Sequence, residues 1–173
     1  MRNGARTPKD NAKLFALEAV SRHRMGFHLR LIMPSDPRIL SVARAAVSEM
    51  GAICGFPEES RQGIILAIDE GLANIIRHAY KGRHDQEMEL DCQADDKSIV
   101  FRLRDQGETP DPDRICGQPL DDFSLSGRGT HLMKAIMDDM CYEQADGKNQ
   151  LRLVKHLPAA KVDIAGEGSG PHG

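Results

Sequence analysis

The sequence predicts an α+β domain: a two-layer α/β sandwich with a mixed, mostly antiparallel sheet and helices on one face. Three observations predict it. Residues 87–105 and 141–156 each alternate polar and apolar side chains on both sides of a short polar turn, the mark of a β-hairpin. Residues 35–50, 56–80 and 128–140 instead carry apolar residues at helical spacing. Both kinds of element share one chain of 173 residues, enough for one ordinary core and too few for two.

The elements follow in order. Phe27-His-Leu-Arg-Leu-Ile-Met33 alternates and reads as a strand. Ser35-Asp-Pro37 opens a helix, with a capping side chain and a proline in the first turn. Phe56-Pro-Glu-Glu59 opens a second, its acids favoured by the positive helix end. On that helix Ile64, Ile65, Ile68, Leu72, Ile75, Ile76 and Ala79 fall on one arc and form the core face. Lys81-Gly-Arg83 ends it. The first hairpin turns at Ala94-Asp-Asp-Lys97, the second at Ala145-Asp-Gly-Lys148. The order is β α α β β, a loop over 106–127, then α β β. A structureless loop of that length is uncommon in a compact domain and is often a lid or a binding loop. Residues 1–26 read as a flexible or partly helical leader, 27–157 as the domain, and 158–173, rich in Ala, Gly and Pro, as a disordered tail.

Composition narrows the function. Apolar residues make up 40% and charged ones 28%, so the chain folds without staples and stays in solution. No apolar run approaches a membrane span, and no secretory signal opens the chain, so a cytoplasmic location is expected. Net charge is −3, against direct nucleic-acid binding, which is normally basic. Residues 1–30 carry seven Lys/Arg against Asp10 and Glu18, so the remainder is strongly acidic. Cys54, Cys92, Cys116 and Cys141 are far apart, with no CxxC pair, and read as reduced thiols rather than a zinc site. His23, His28, His84, His156 and His172 lack a partner at ligand spacing and read as incidental.

Three polar signals stand out. Glu70 and Asn74 sit one turn apart on the side of the helix away from the core, with His78 a further turn along and the small residues Gly71 and Ala73 beside them. Asparagine is a poor helix former, so its place in mid-helix needs a reason. A carboxylate and a carboxamide oxygen so spaced suit the magnesium ion of a nucleotide, which takes few protein oxygens and keeps several waters. Glu70 can orient or deprotonate a hydroxyl. Asp105-Gln-Gly107 ends a strand: the carboxylate can accept from an adenine amine and the glycine lets a base approach the backbone. Gly127-Arg128-Gly129-Thr130 opens a helix whose free N–H groups suit a polyphosphate.

In this order the three signals resemble the N, G1 and G2 boxes of the Bergerat-fold ATPases, the superfamily of gyrase, Hsp90, histidine kinases and MutL-type proteins. The wording of Glu70-Gly-Leu-Ala-Asn-Ile-Ile-Arg-His-Ala-Tyr-Lys-Gly82, Asp105-Gln-Gly-Glu-Thr-Pro-Asp-Pro112 and Met137-Asp-Asp-Met-Cys-Tyr142 is similar to the anti-sigma-factor serine/threonine kinases of bacterial stress and sporulation control. The resemblance spans about residues 27–157. It implies a Bergerat ATP-binding fold that uses ATP and Mg2+ and phosphorylates a serine on a STAS-domain anti-anti-sigma partner. It further implies sequestration of a sigma factor and a homodimer.

By position the resemblance makes Glu70 the general base or serine-orienting residue and Asn74 the magnesium ligand. Asp105 would hold the adenine over Gly107, residues 108–126 would form an ATP lid, and Gly127, Arg128, Gly129 and Thr130 would wrap the phosphates. Arg77 and His78 would lie beside the nucleotide. His131 stands where many relatives have a further glycine. The lid is acidic, with Glu108, Asp111, Asp113, Asp121 and Asp122 against Arg114, so magnesium, Arg128 and backbone N–H groups must compensate the phosphate charge. The alternative is a non-catalytic, nucleotide-dependent binding module that acts by sequestration.

Overall fold

A computed structural model describes residues 26–109 and 128–158. Among the described residues five strands form one sheet in the order β1-β2-β3-β5-β4. They are β1 (Phe27–Pro34), β2 (Glu87–Ala94), β3 (Ser98–Asp105), β4 (Asp139–Ala145) and β5 (Lys148–His156). The expected sheet was mixed; all four pairings among the described residues are antiparallel. Both expected hairpins form, β2 with β3 and β4 with β5, and β1 adds to the edge of β2 with Leu31 opposite Leu90.

The helices lie on one face. A single 3-10 turn (Pro37–Ile39) leads into α1 (Leu40–Ile53), and Asp36 caps the turn by accepting from the Arg38 N–H at 2.9 Å. The Arg38 guanidinium, helped by that bond, holds the Asp36 carboxyl down at about 2. Ser35, fully buried, clasps the chain before β2: its hydroxyl donates to the Arg83 carbonyl at 2.6 Å and accepts from the Gln86 N–H at 3.1 Å. Helix α2 runs over Glu58–Asn74 and helix α3 over Arg128–Ile136.

The core lies between α2 and the inner face of the sheet. Ile64, Ile68, Leu72, Ile75 and Ile76 of the expected face are buried, while Ile65 is only half-buried. They meet Leu90, Cys92, Phe101, Leu103 and Leu153 from the strands. Burial pushes the Cys92 thiol up to about 12, which leaves it unreactive. Among the described residues no disulfide joins Cys54, Cys92 and Cys141.

Two expected boundaries shift. The helix expected to run to about Tyr80 keeps α-geometry only to Asn74 and continues as a π-helical turn over Ile75–Ala79, closed by the Tyr80 N–H on the Ile75 carbonyl at 2.9 Å. The wider turn lets Ile75, Ile76, Ala79 and Tyr80 all be buried. The helix expected over 128–140 stops at Ile136, where Lys155 Nζ caps the Ile136 carbonyl at 2.6 Å. The Asp138 N–H then pairs with Val154 at 2.9 Å, and the chain leaves as β4. Met133, Met137 and Met140 have helical spacing, but sheet pairing decides the last of them.

The other sheet face carries no described helix and is charged. The register aligns Arg30, Asp91, Arg102 and Arg152 across four strands, with Ile32, Glu89, Arg104 and Gln150 in the next row. Glu89 and Asp91 are buried beneath the cations. Arg104 reaches Glu89 at 2.6 Å and Lys148 reaches it at 3.3 Å, while Arg102 reaches Asp91 at 3.2 Å. His28, expected to be incidental, lies 2.5 Å from Asp91: pairing across the sheet gives it a carboxylate that local spacing cannot reveal.

Candidate functional site

The site is built along α2 and its π-turn. Glu70 and Asn74 lie one turn apart, and Arg77 closes over both. Its Nη2 donates to Glu70 Oε1 at 2.9 Å and to Asn74 Oδ1 at 3.0 Å, and its Nε to the Ala73 carbonyl at 3.3 Å. The Asn74 oxygen, expected to face magnesium, and the Glu70 carboxylate here both accept from one guanidinium. His78 is exposed beside them.

Helix α3 packs antiparallel against α2 through two glycines. A Cβ on Gly63 would touch Ile136 at 3.4 Å, and one on Gly129 would stand 2.6 Å from the Glu70 carboxyl carbon. So Gly129, at the N-terminal turn of α3, rests on the Glu70 side chain. Thr130 follows it in that turn, half-buried. Arg128 is the first residue of α3. Gly127 and most of the expected lid (110–126) lie outside the described residues.

At the other end, Gly107 meets the π-turn. A Cβ there would stand 2.6 Å from the Ala79 carbonyl carbon, and the Glu108 N–H donates to the Ala79 oxygen at 2.9 Å. Only glycine fits against that backbone. Asp105 is buried, and burial pushes its carboxyl up against the pull of two donors, the Asn149 amide and the Gly107 N–H. Both donors reach Oδ1, at 2.9 and 2.8 Å.

Sequence reading missed two residues here. The Tyr80 hydroxyl accepts from the Gln106 N–H at 3.0 Å and donates to the Glu87 carbonyl, tying the π-turn to both strands of the first hairpin. Asn149 holds Asp105 and the Gly107 carbonyl together. Its signal was present: it occupies an inward position of an alternating strand, where a polar side chain needs a partner.

The donor set fits the expected ligands. A carboxylate and a carboxamide oxygen already gathered on a guanidinium suit a hard cation. Among the described residues no three His, Cys, Asp or Glu converge, so a magnesium ion here would draw most of its ligands from water and phosphate. At the other end a buried acceptor, Asp105, stands beside Gly107, whose missing side chain leaves room for the Ala79 backbone.

Comparison with known proteins gives the family. Residues 33–155 match the family model of the histidine kinase-like ATPase domain. The chain belongs to that family. Among curated relatives it is 24% identical over 145 residues to a serine-protein kinase RsbW of Oceanobacillus iheyensis, covering 79% of this chain and 91% of that one. It is 31% identical over 97 residues to the serine/threonine-protein kinase BtrW of Bordetella bronchiseptica, covering 54% and 68%. In fold it is similar to the SiaB–SiaC complex structure from Pseudomonas aeruginosa, with a TM-score of 0.58 at 12% identity, covering 84% of this chain and 99% of that one. It is also similar to the RsbU and RsbW domains of a Mycobacterium tuberculosis protein, with a TM-score of 0.55 at 16% identity over 76% of this chain; it spans only 32% of that longer one.

Proposed function

We propose that this protein is an ATP-dependent protein-serine kinase of the anti-sigma-factor type, which phosphorylates a serine of a STAS-domain anti-anti-sigma partner. One observation carries the reading: a single helix touches both ends of the nucleotide site. Gly107 meets it at Ala79 and Gly129 meets it at Glu70. Nine residues separate those contacts, about 13 Å at the α-helical rise, a span suited to a nucleotide laid from base to terminal phosphate.

The chemistry asks little covalent work of the protein, because positioning and charge neutralisation carry phosphoryl transfer. Asp105 accepts from the adenine amine. The N-terminal turn of α3 offers backbone N–H groups to the phosphates. Asn74 would hold the magnesium ion, which neutralises phosphate charge when bound. Glu70 orients the partner's serine hydroxyl and takes its proton. The relatives named as serine-protein kinases, and a relative solved as a two-protein complex, support a protein substrate. Sequestration of a sigma factor, a homodimer and a cytoplasmic location complete the reading. No helix among the described residues is long and apolar enough to cross a membrane.

The test is labelled ATP with magnesium and a STAS-domain partner. Label on a partner serine, lost in Glu70→Gln, supports the kinase. Tight ATP binding without transfer turns the reading to the binding module, which the pairing of Glu70 with Arg77 would then serve by keeping the carboxylate occupied.

A further inference from the structure

Asn149 is a buried carboxamide with every hydrogen-bonding position filled. Its two N–H donors serve Asp105 Oδ1 at 2.9 Å and the Gly107 carbonyl at 3.1 Å. Its oxygen accepts from the Thr109 hydroxyl at 3.1 Å and from Gln144 Nε2 at 3.4 Å. Gln144 also donates to the Thr109 hydroxyl at 2.9 Å, so the two neighbours brace each other. Two donors and two lone pairs are all that a carboxamide has. The network therefore fixes which way the amide faces: turned over, its oxygen would confront the Asp105 carboxylate.

We propose that Asn149 is the positioning residue for base recognition, filling Oδ1 of Asp105 so that Oδ2 is left as the acceptor that reads the purine 6-position. The proposal rests on the nucleotide-binding reading above. Among the described residues, the bonds to Asp105 all fall on Oδ1. A 6-amino purine donates to Oδ2; a 6-oxo purine presents an oxygen to it and is repelled. This selection needs Asp105 in its ionised, acceptor-only form. Burial works against that form, and the Asn149 donor works for it. The titratable groups that sense the Asp105 charge are Tyr80, from the end of the π-turn, and Tyr142, from β4; no described Arg or Lys bonds it. Asn149 is thus the side-chain donor opposing the effect of burial.

The experiment measures ATP and inosine triphosphate affinity by calorimetry across the neutral pH range. Asn149→Asp keeps the side-chain shape but turns the donor facing Asp105 into a like charge. The expected result is a loss of ATP preference of about tenfold, greatest at the lower pH values, with a smaller change in inosine triphosphate affinity. Asn149→Ser retains a donor without adding charge and is expected to keep more of the preference. An unchanged preference in Asn149→Asp, or an equal loss in both variants, overturns the proposal. If Asn149→Asp does not fold, the Thr109→Val/Gln144→Leu pair releases the carboxamide oxygen instead; a lowered preference supports the proposal and an unchanged one overturns it. A wild-type protein that binds no ATP fails the nucleotide reading, and the proposal with it. One that binds both nucleotides equally overturns the proposal and leaves nucleotide binding standing.

Discussion

Gly129 rests on Glu70: a Cβ at Gly129 would stand 2.6 Å from the Glu70 carboxyl carbon and 2.7 Å from its Cγ. A methyl group there must push the carboxylate aside rather than break backbone. We therefore expect Gly129→Ala to fold, with a melting temperature within a few degrees of wild type, and to lose phosphoryl transfer by about 100-fold, the usual scale for a displaced catalytic group. Single-turnover transfer beside thermal melting checks this; intact transfer would mean that Glu70 is not the positioned base.

Arg77 spans Glu70 and Asn74 from an exposed position. Exposed ion pairs contribute about 0–1 kcal/mol, so Arg77→Ala should leave folding stability nearly unchanged. Its effect should fall on the metal. With the guanidinium gone, nothing competes for the Asn74 oxygen, and the magnesium concentration that half-saturates nucleotide binding should fall. A magnesium titration at fixed ATP reads this directly.

Asn74→Ala removes the same oxygen outright. ATP binding in that variant should respond to magnesium far less steeply than in wild type. Equal metal dependence in the two proteins would place the ion elsewhere.

Leu72 is fully buried between α2 and the sheet. Leu72→Ala should cost about 2–5 kcal/mol by chemical denaturation, the range for a leucine truncated in a packed core. A loss below about 1 kcal/mol would argue against the packing described.

The charged sheet face gives a pH prediction. Burial alone would push the Glu89 and Asp91 carboxyls up. Arg104 and Lys148 around Glu89, and His28, Arg30 and Arg102 around Asp91, hold both below the ordinary range instead. A depressed carboxyl stabilises the fold above its unfolded pKa, and that contribution is lost as pH falls through the folded one. Stability to denaturant should therefore decline below about pH 4. Glu89→Gln should decline less steeply over that range, while starting from a lower plateau at neutral pH.

Much of this was legible in the chain. Ser35-Asp-Pro37 announced its turn, the hairpins announced themselves by alternation, and Glu70, Asn74, Asp105 and Gly107 stood out by residue type and place. What stayed hidden depends on contacts distant in sequence. Alternation predicts that Glu89 and Asp91 leave the core, but not that arginines from neighbouring strands will cover them. Asn149 could be read as a polar residue at an inward strand position, but its partner, Asp105, 44 residues away, could not be. The π-turn has no local signature, because Ile75, Ile76 and Ala79 suit an α-helix equally well.

That π-turn is, in effect, one residue added to a helix. Removing a single residue within 75–79 would restore regular α-geometry and leave a plausible sequence, yet turn everything after it by about 100°. The Tyr80 hydroxyl would swing away from Gln106, and the Ala79 carbonyl away from Glu108. The Gly107 end of the candidate site thus hangs on a helix being locally out of phase, and a one-codon deletion there would detach it and disturb the buried side chains of the turn as well.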